Sequence, residues 1–328
     1  MKYDVFGIGS ALMDFLIEVE HNELLELNLK KGNFHLIDEE HSKRLLKKLE
    51  NYKVRISPGG SSANTLYGVA LLGGKVVFCG KIGKDRHGDI YEEKMRDGGV
   101  KPKLARSERI TGHAITFITP DSERTFAVHL GAALHLEKSD VFFEDLKQSK
   151  ILHIEGYQLE DENLRNVSLH AMQFAKKNNI KISMDLGDSG IVARNKEDIK
   201  KIIEEYADIV FANDDEAKAL TGLEPLEALN EIARLTKIAI VKIGKEGSYI
   251  KQGDKIQKIP GYKAKCVDTT GAGDMFAAGV LYGISKGYDL KIAGHIGSYY
   301  AAKVVEQIGA RLKRIDKKEV EYLITNVK

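Results

Sequence analysis

The chain has 328 residues, 43% of them hydrophobic, with 50 Lys and Arg against 48 Asp and Glu and a formal net charge of +2. So even a balance gives no electrostatic basis for binding nucleic acid or an anionic membrane, and the length admits one large α/β domain or two smaller ones. No apolar run is long enough to span a bilayer, and Met1-Lys2-Tyr3-Asp4 enters a strand pattern at once without a signal-peptide core, so a cytoplasmic protein is expected. Cys79 and Cys266 stand far apart with no Cys or His at ligand spacing, which argues against a disulfide framework or a zinc site; both are expected to be buried thiols. The 10 His residues form no H-E-x-x-H pattern, and His153 within Ile151-Leu152-His153-Ile154 reads as a core group.

In chain order, residues 3–8 read as a short buried strand ending at Gly7-Ile8-Gly9-Ser10. A G-x-G after a strand raises the dinucleotide-binding fingerprint, but its third glycine would fall at Leu12. The segment that follows, Met13-Asp14-Phe15-Leu16-Ile17-Glu18-Val19-Glu20, is partly alternating and β-rich, as in a strand leaving the main sheet. Residues 39–50 have helical spacing and residues 54–57 form a brief strand ended by Pro58-Gly59-Gly60. A helix of small and apolar residues then runs from Ser61, an expected cap, through Leu72, with Asn64 as its polar exception. After a strand at residues 76–80 and a helix at 85–98, the β-rich stretches 111–119 and 125–130 flank the turn-like Pro120-Asp121-Ser122-Glu123. This hairpin, the strand near Asp14 and residues 34–37 are expected to form a small sheet projecting as a lid, with Arg124 at the start of the returning strand.

From residue 139 the rhythm is regular: strand 151–155, helix 161–178, strand 180–185, helix 196–206, strand 209–212. Such alternation predicts parallel strands joined by right-handed crossovers. Asn213-Asp214-Asp215-Glu216 opens another helix at a strand's carboxyl end, where Asp214 and Asp215 read as dipole partners. Residues 238–243 form a further buried strand before the turn Gly244-Lys245-Glu246-Gly247.

Then comes Val267-Asp268-Thr269-Thr270-Gly271-Ala272-Gly273-Asp274, running into the apolar segment 275–281. Glycines around one alanine let backbone N–H groups converge, and the first helical turn adds unpaired donors and a positive dipole end, which together make a phosphate cradle. Asp274 falls in the same turn, where a carboxylate can take a proton from a hydroxyl. Cradle and base describe phosphoryl transfer to an alcohol; the plainer alternative is that Gly-Ala-Gly serves helix packing and Asp274 is a cap. The helix ends near Gly287, and residues 289–307 form a last small-residue helix containing Ala293-Gly294-His295. G-x-x-x-x-G-K-[ST] is absent, which excludes a P-loop kinase by motif.

The run 267–274 resembles, residue for residue, the signature of the ribokinase-like, or phosphofructokinase-B type, family of carbohydrate and nucleoside kinases. Pro58-Gly59-Gly60 with Asn64, the N-x-x-E element at Asn213 and Glu216, and the G-x-x-G turn at Gly244 and Gly247 follow that family's order. The resemblance implies one α/β domain over residues 1–328, a doubly wound and mainly parallel sheet flanked by helices, with lid segments at about 12–37 and 111–131. It also implies ATP as donor, Asp274 as general base, and the Gly271, Ala272 and Gly273 amides as holders of developing phosphate charge. Asp14, Gly59, Gly60 and Asn64, with Leu12 and Arg124, would bind the acceptor. Asn213, Glu216, Lys242, Gly244 and Gly247 would serve the nucleotide, with Asn213 and Glu216 ordering magnesium through water and carbonyls near Asp268, Thr270 and Gly309 available to potassium. Lys242 stands where family members often carry Thr.

Among subfamilies the chain resembles adenosine-kinase-like members, through residues 58–65, Arg124 and the Ala293-Gly294-His295 helix; a ribonucleoside acceptor, adenosine or a related purine nucleoside, phosphorylated at its 5′-hydroxyl is therefore the leading expectation. Ser10 departs from the Asn that adenosine kinases carry there, so a ribokinase- or fructokinase-like sugar kinase is the alternative. Leu12, Phe34, Leu36 and Tyr157 could line an apolar slot for a base. A non-catalytic sugar or nucleotide sensor on the same fold is a third reading, and a dehydrogenase a fourth that Leu12 weakens. The expected partner is a small molecule, with no nucleic acid and no membrane, in a monomer or a dimer paired through lid strands.

Overall fold

The computed structural model describes residues 1–32, 34–49, 52–121 and 123–327; Ser122 of the expected turn and the side chains of Phe34 and Arg124 lie outside that description. In chain order the strands are β1 (Tyr3–Ile8), β2 (Leu12–Glu18), β3 (Phe34–Leu36), β4 (Arg55–Pro58), β5 (Val76–Gly83), β6 (Val100–Ser107), β7 (Thr111–Ile118) and β8 (Arg124–Gly131). They continue as β9 (Ser149–Glu155), β10 (Lys181–Asp185), β11 (Ile209–Asn213), β12 (Ile238–Lys242), β13 (Gly247–Gln252) and β14 (Lys255–Pro260). The main sheet has nine strands in the order β14-β13-β12-β11-β10-β9-β1-β5-β6, and a second sheet has five in the order β3-β8-β7-β2-β4.

Burial on both faces explains the near-continuous apolar runs of the main sheet. β1 and β5 are buried at every position, and alternate residues enter opposite cores. Val5, Phe78 and Ile240 join one cluster, while Phe6, Val77, Cys79 and Val241 join the other. From β6 through β12 all neighbours pair in parallel, and β13 and β14 close that end as an antiparallel hairpin. The order reverses between β1 and β9, and the crevice outside the carboxyl ends of strands at such a switch is where doubly wound sheets bind ligands. Ser10 and Glu155 stand at that point.

Neither β6 nor β14 was expected from sequence. Lys101, Pro102 and Lys103 give β6 no apolar alternation, and a proline that cannot donate is tolerated because β6 is the sheet edge. The second sheet gathers the expected strands, with β3 pairing to β8 and β2 to β7. β4 also joins it, antiparallel to β2, which places Asp14 opposite Ser57 and close to Gly59. Ser61 is not the cap expected of it: Gly60 occupies the N-cap of helix Ser61–Leu71. Cys79 is buried and its thiol is pushed up to about 12 by desolvation, but Cys266 is exposed, because the segment leaving β14 runs along the molecular surface. Among the described residues no helix is long and apolar enough to cross a membrane.

The glycine-led helix Ala272–Lys286 lies between helices Ser61–Leu71 and Leu290–Val304 at distances only small residues permit. A Cβ on Gly279 would stand 2.5 Å from Gly297 Cα, and one on Gly68 would stand 2.6 Å from Ala278 Cβ. The obstruction at Gly279 is backbone, which cannot swing aside. Gly279→Ala should therefore destabilise the protein by about 1–3 kcal/mol through overpacking. A urea unfolding midpoint equal to that of the parent protein would contradict this packing account.

Candidate active site

The first turn of helix Ala272–Lys286 forms one wall of a cleft of about 1810 Å3. Gly271 is its N-cap at φ 78°, a left-handed conformation, and a Cβ there would meet Ala310 at 2.6 Å. The Ala272 N–H donates to Thr269 O (3.2 Å), while the buried Asp268 carboxylate accepts from Thr270 N (2.8 Å) and Gly309 N (2.9 Å). Asp268, Thr270 and Gly309, the positions that the family resemblance associates with potassium, are thereby brought together. Gly271, Ala272, Gly273 and Asp274 all line the cleft, so first-turn backbone donors and a positive dipole end face a space large enough for a nucleotide.

Asp274 Oδ1 accepts from Ser61 Oγ (2.7 Å) and Oδ2 from Asn64 Nδ2 (3.0 Å). Ser61, expected to cap its own helix, reaches across to this carboxylate instead. Burial pushes Asp274 up to about 6, against the lowering effect of those two hydrogen bonds. A carboxylate with that value is ionised near neutrality yet basic enough to accept a proton.

Asp14 and Gly60 line the same cleft beside Asn64. A Cβ on Gly59 would lie 2.3 Å from the Asp14 carboxylate oxygens, and one on Gly60, at φ 90°, would lie 2.2 Å from Ser10 O. Only glycines let the loop after β4 pass so close to strand β2 and the end of β1. Burial raises Asp14 to about 7, with Arg311 opposing and the nearby Asp274 charge adding. Leu12 lines the cleft with Leu36, Val128, Leu130, Leu134 and Tyr157. The Arg124 side chain lies outside the described residues.

At the other end, Asn213 and Glu216 form a reciprocal capping box: Asn213 Nδ2 donates to Glu216 Oε1 (2.7 Å), Asn213 N to Oε2 (2.8 Å), and Glu216 N to Asn213 Oδ1 (2.8 Å). Lys242 Nζ pairs with Asp185 at 3.0 Å and would be 3.2 Å from a Cβ on Gly273. Burial disfavours its charge, but the carboxylates of Asp185 and Glu216 hold its pKa above the ordinary lysine value. Gly244 and Gly247 line this end, both with positive φ. A glycine-opened helix turn, the half-buried carboxylates of Asp274 and Asp14 and the half-buried Lys242 ammonium are thus gathered in one cleft.

The sequence profile of the pfkB family carbohydrate kinases matches residues 32–317. The chain belongs to that family. It is 28% identical over 335 residues to a 5-dehydro-2-deoxygluconokinase of Bacillus subtilis, covering 98% of this chain and 96% of that protein. The protein of the same name from Listeria innocua is 28% identical over 342 residues, covering 99% and 97%. Among solved structures, a probable sugar kinase from Rhizobium etli superposes with a TM-score of 0.89 at 32% identity, covering 98% of both chains. An adenosine kinase from Sinorhizobium meliloti gives 0.88 at 32% identity, covering 98% of this chain and 99% of that one. The doubly wound fold and the family expected from sequence are both borne out, and the chain is a phosphotransferase acting on a sugar or nucleoside, with ATP use implied by the family. The curated kinases favour the sugar alternative over the nucleoside reading that led from sequence.

Several residues that line or brace the cleft escaped sequence reading. Glu155, ending β9, is 1% exposed and accepts from Ser10 N (2.8 Å), Ser62 N (2.6 Å) and Gln158 Nε2 (3.1 Å), fastening β1, β9 and helix Ser61–Leu71 together under the cleft. Burial raises its carboxyl to about 7. Asp185 ends β10 in the same way. An acid closing an apolar strand at its carboxyl end was a usable signal for both. Arg311 carried none: it lies in a polar loop far along the chain from its partners.

Proposed function

We propose that this protein is an ATP-dependent sugar kinase, with Asp274 as general base toward a primary hydroxyl of the acceptor. The observation that carries this reading is the Asp274 carboxylate itself, half-buried in the first turn of the cradle helix, held by Ser61 and Asn64, and lining the same cleft as Asp14. The acceptor hydroxyl passes its proton to Asp274 as its oxygen bonds to the γ-phosphorus. The bond from that phosphorus to the β,γ-bridging oxygen breaks, and ADP leaves. The Gly271 and Gly273 amides and the Lys242 ammonium offset charge on the transferring oxygens, joined by the Ala272 amide when it gives up its bond to Thr269 O. Asp14, Gly59, Gly60 and Asn64 hold acceptor hydroxyls, a carboxylate and an amide being well suited to a vicinal pair. Gly244 and Gly247 flank the nucleotide.

Both Glu216 oxygens are engaged by Asn213, so this pair fits magnesium through bound water better than by direct ligation. When bound, the ion neutralises phosphate charge. The Asp268 carboxylate draws the Thr270 and Gly309 backbones together through their N–H groups, and a monovalent cation would be held by carbonyls of these same segments. The five-stranded sheet, bearing Leu12, Leu36 and Val128 on the cleft, would close over the acceptor and exclude water.

The same apolar wall, together with the likeness to an adenosine kinase, favours a second reading in which the acceptor is a ribonucleoside. A panel of fructose, ribose, 5-dehydro-2-deoxygluconate, adenosine, inosine, guanosine and cytidine with magnesium and ATP separates them. Turnover of a free sugar or sugar acid is the expected result. Turnover of nucleosides alone would replace the sugar reading with the second, and binding without turnover of any compound would leave a sensor instead of a kinase.

A further inference from the structure

Arg311 sits behind the acceptor site, half-buried against the face of Tyr67 with its guanidinium carbon 4.9 Å from the ring centroid. Its Nε donates to Asn64 Oδ1 at 2.8 Å, Nη1 to Met95 Sδ at 3.3 Å, and Nη2 reaches Gly59 O at 3.5 Å. A guanidinium has donors and no acceptor, so the Asn64 amide meets it with its carbonyl. That leaves the amide N–H pointing at Asp274 Oδ2, 3.0 Å away. Without this partner, the amide could turn over and set its carbonyl against the carboxylate.

The loop carrying Arg311 is itself held by the cradle. Gly309 N donates to Asp268 Oδ2 at 2.9 Å, Gln307 Nε2 donates to Arg311 O at 2.7 Å, and Ala310 lies where a side chain on Gly271 would go. One short loop therefore touches the phosphate side through Asp268 and Gly271 and the acceptor side through Asn64 and Gly59.

We propose that Arg311 is a positioning residue for phosphoryl transfer: anchored on the cradle, it fixes the Asn64 amide so that an N–H holds the Asp274 carboxylate toward the acceptor. The same guanidinium steadies the Gly59 carbonyl, which also accepts from Tyr91 Oη at 3.1 Å, and so keeps the acceptor loop in place beside Asp14. This rests on the reading of Asp274 as base.

The test is a double-mutant cycle on the whole enzyme with ATP and whichever acceptor it turns over. Arg311→Ala should lower kcat/KM for the acceptor about 100-fold, the scale of a misplaced catalytic group, while KM for ATP changes by less than about threefold. Millimolar guanidinium chloride should restore part of the loss, and ammonium chloride at equal ionic strength should not. In an Asn64→Ala background, removing Arg311 should change kcat by less than about twofold, since its effect on kcat runs through the Asn64 amide, whereas its hold on the Gly59 carbonyl bears on the acceptor KM. Additive losses, equal rescue by both salts, or a loss confined to ATP affinity would each overturn the proposal. Arg311→Lys keeps the charge without the planar fork; folded by circular dichroism, it should share the kcat loss, and parent-like turnover would count against the proposal. Asp274→Asn run alongside separates the two failures: retained turnover there removes the base, whereas its loss together with an additive cycle removes only the role given to Arg311.

Discussion

Asp274→Asn should lower kcat by about 100-fold to 10,000-fold, the range of a lost general base, with KM for the acceptor changed only a few-fold because the amide keeps the shape. The pH profile carries the same information. Burial has raised this carboxyl to about 6, and its working form is ionised. Turnover of the parent enzyme should thus fall about tenfold per pH unit below 6 and level above it, an acid limb two units higher than an ordinary aspartate would give. In the variant that limb should vanish. Asp14 lies close enough to contribute to the titration, so the limb belongs to the interacting pair, and its loss in the variant identifies the member that does the chemistry. Near-parental turnover in Asp274→Asn would remove Asp274 from the mechanism.

Asp14→Ala should act on binding. A carboxylate accepting from two sugar hydroxyls gains about 1.5–3 kcal/mol from each charged hydrogen bond, so its removal should raise the acceptor KM by about 100-fold or more while leaving KM for ATP nearly unchanged. Asp14 ionises with a pKa of about 7, raised chiefly by burial, so acceptor affinity should also weaken in the parent as the pH drops below neutrality. Steady-state kinetics with each substrate varied in turn checks both statements. A rise in KM for ATP equal to that for the acceptor would show that Asp14 supports the whole cleft and not the acceptor alone.

The readable part of this molecule was the part whose chemistry is local. The run Asp268 to Asp274 stood out because polar residues and two glycines precede a helix with no polar face, an order that suits a turn with converging amides or close helix packing, and the family resemblance favoured the first. The main strands were legible for a similar reason: burial on both faces writes itself as unbroken apolar residues. Strands β6 and β14 lacked that mark, since an edge needs no second buried face and accepts Lys and Pro. Ser61 misled because a serine opening a helix is normally its cap, and nothing within the neighbouring residues announces a carboxylate more than 200 positions later.

By itself, then, the sequence determined the strand–helix alternation, the glycine-rich opening of a buried helix, the acid in its first turn and the glycines that allow close approach. These are matters of periodicity and backbone freedom, properties carried by a few adjacent residues. Only the tertiary structure decided which groups surround that acid. Ser61 and Asn64, Glu155, Asp185 and Arg311 come from four separate stretches, and their meeting depends on the crossing of helices at glycine contacts and on the strand order that reverses beside β1. Hydrogen bonds and burial act through space, so the pKa of Asp274 and the orientation of Asn64 were set there and could not be read along the chain.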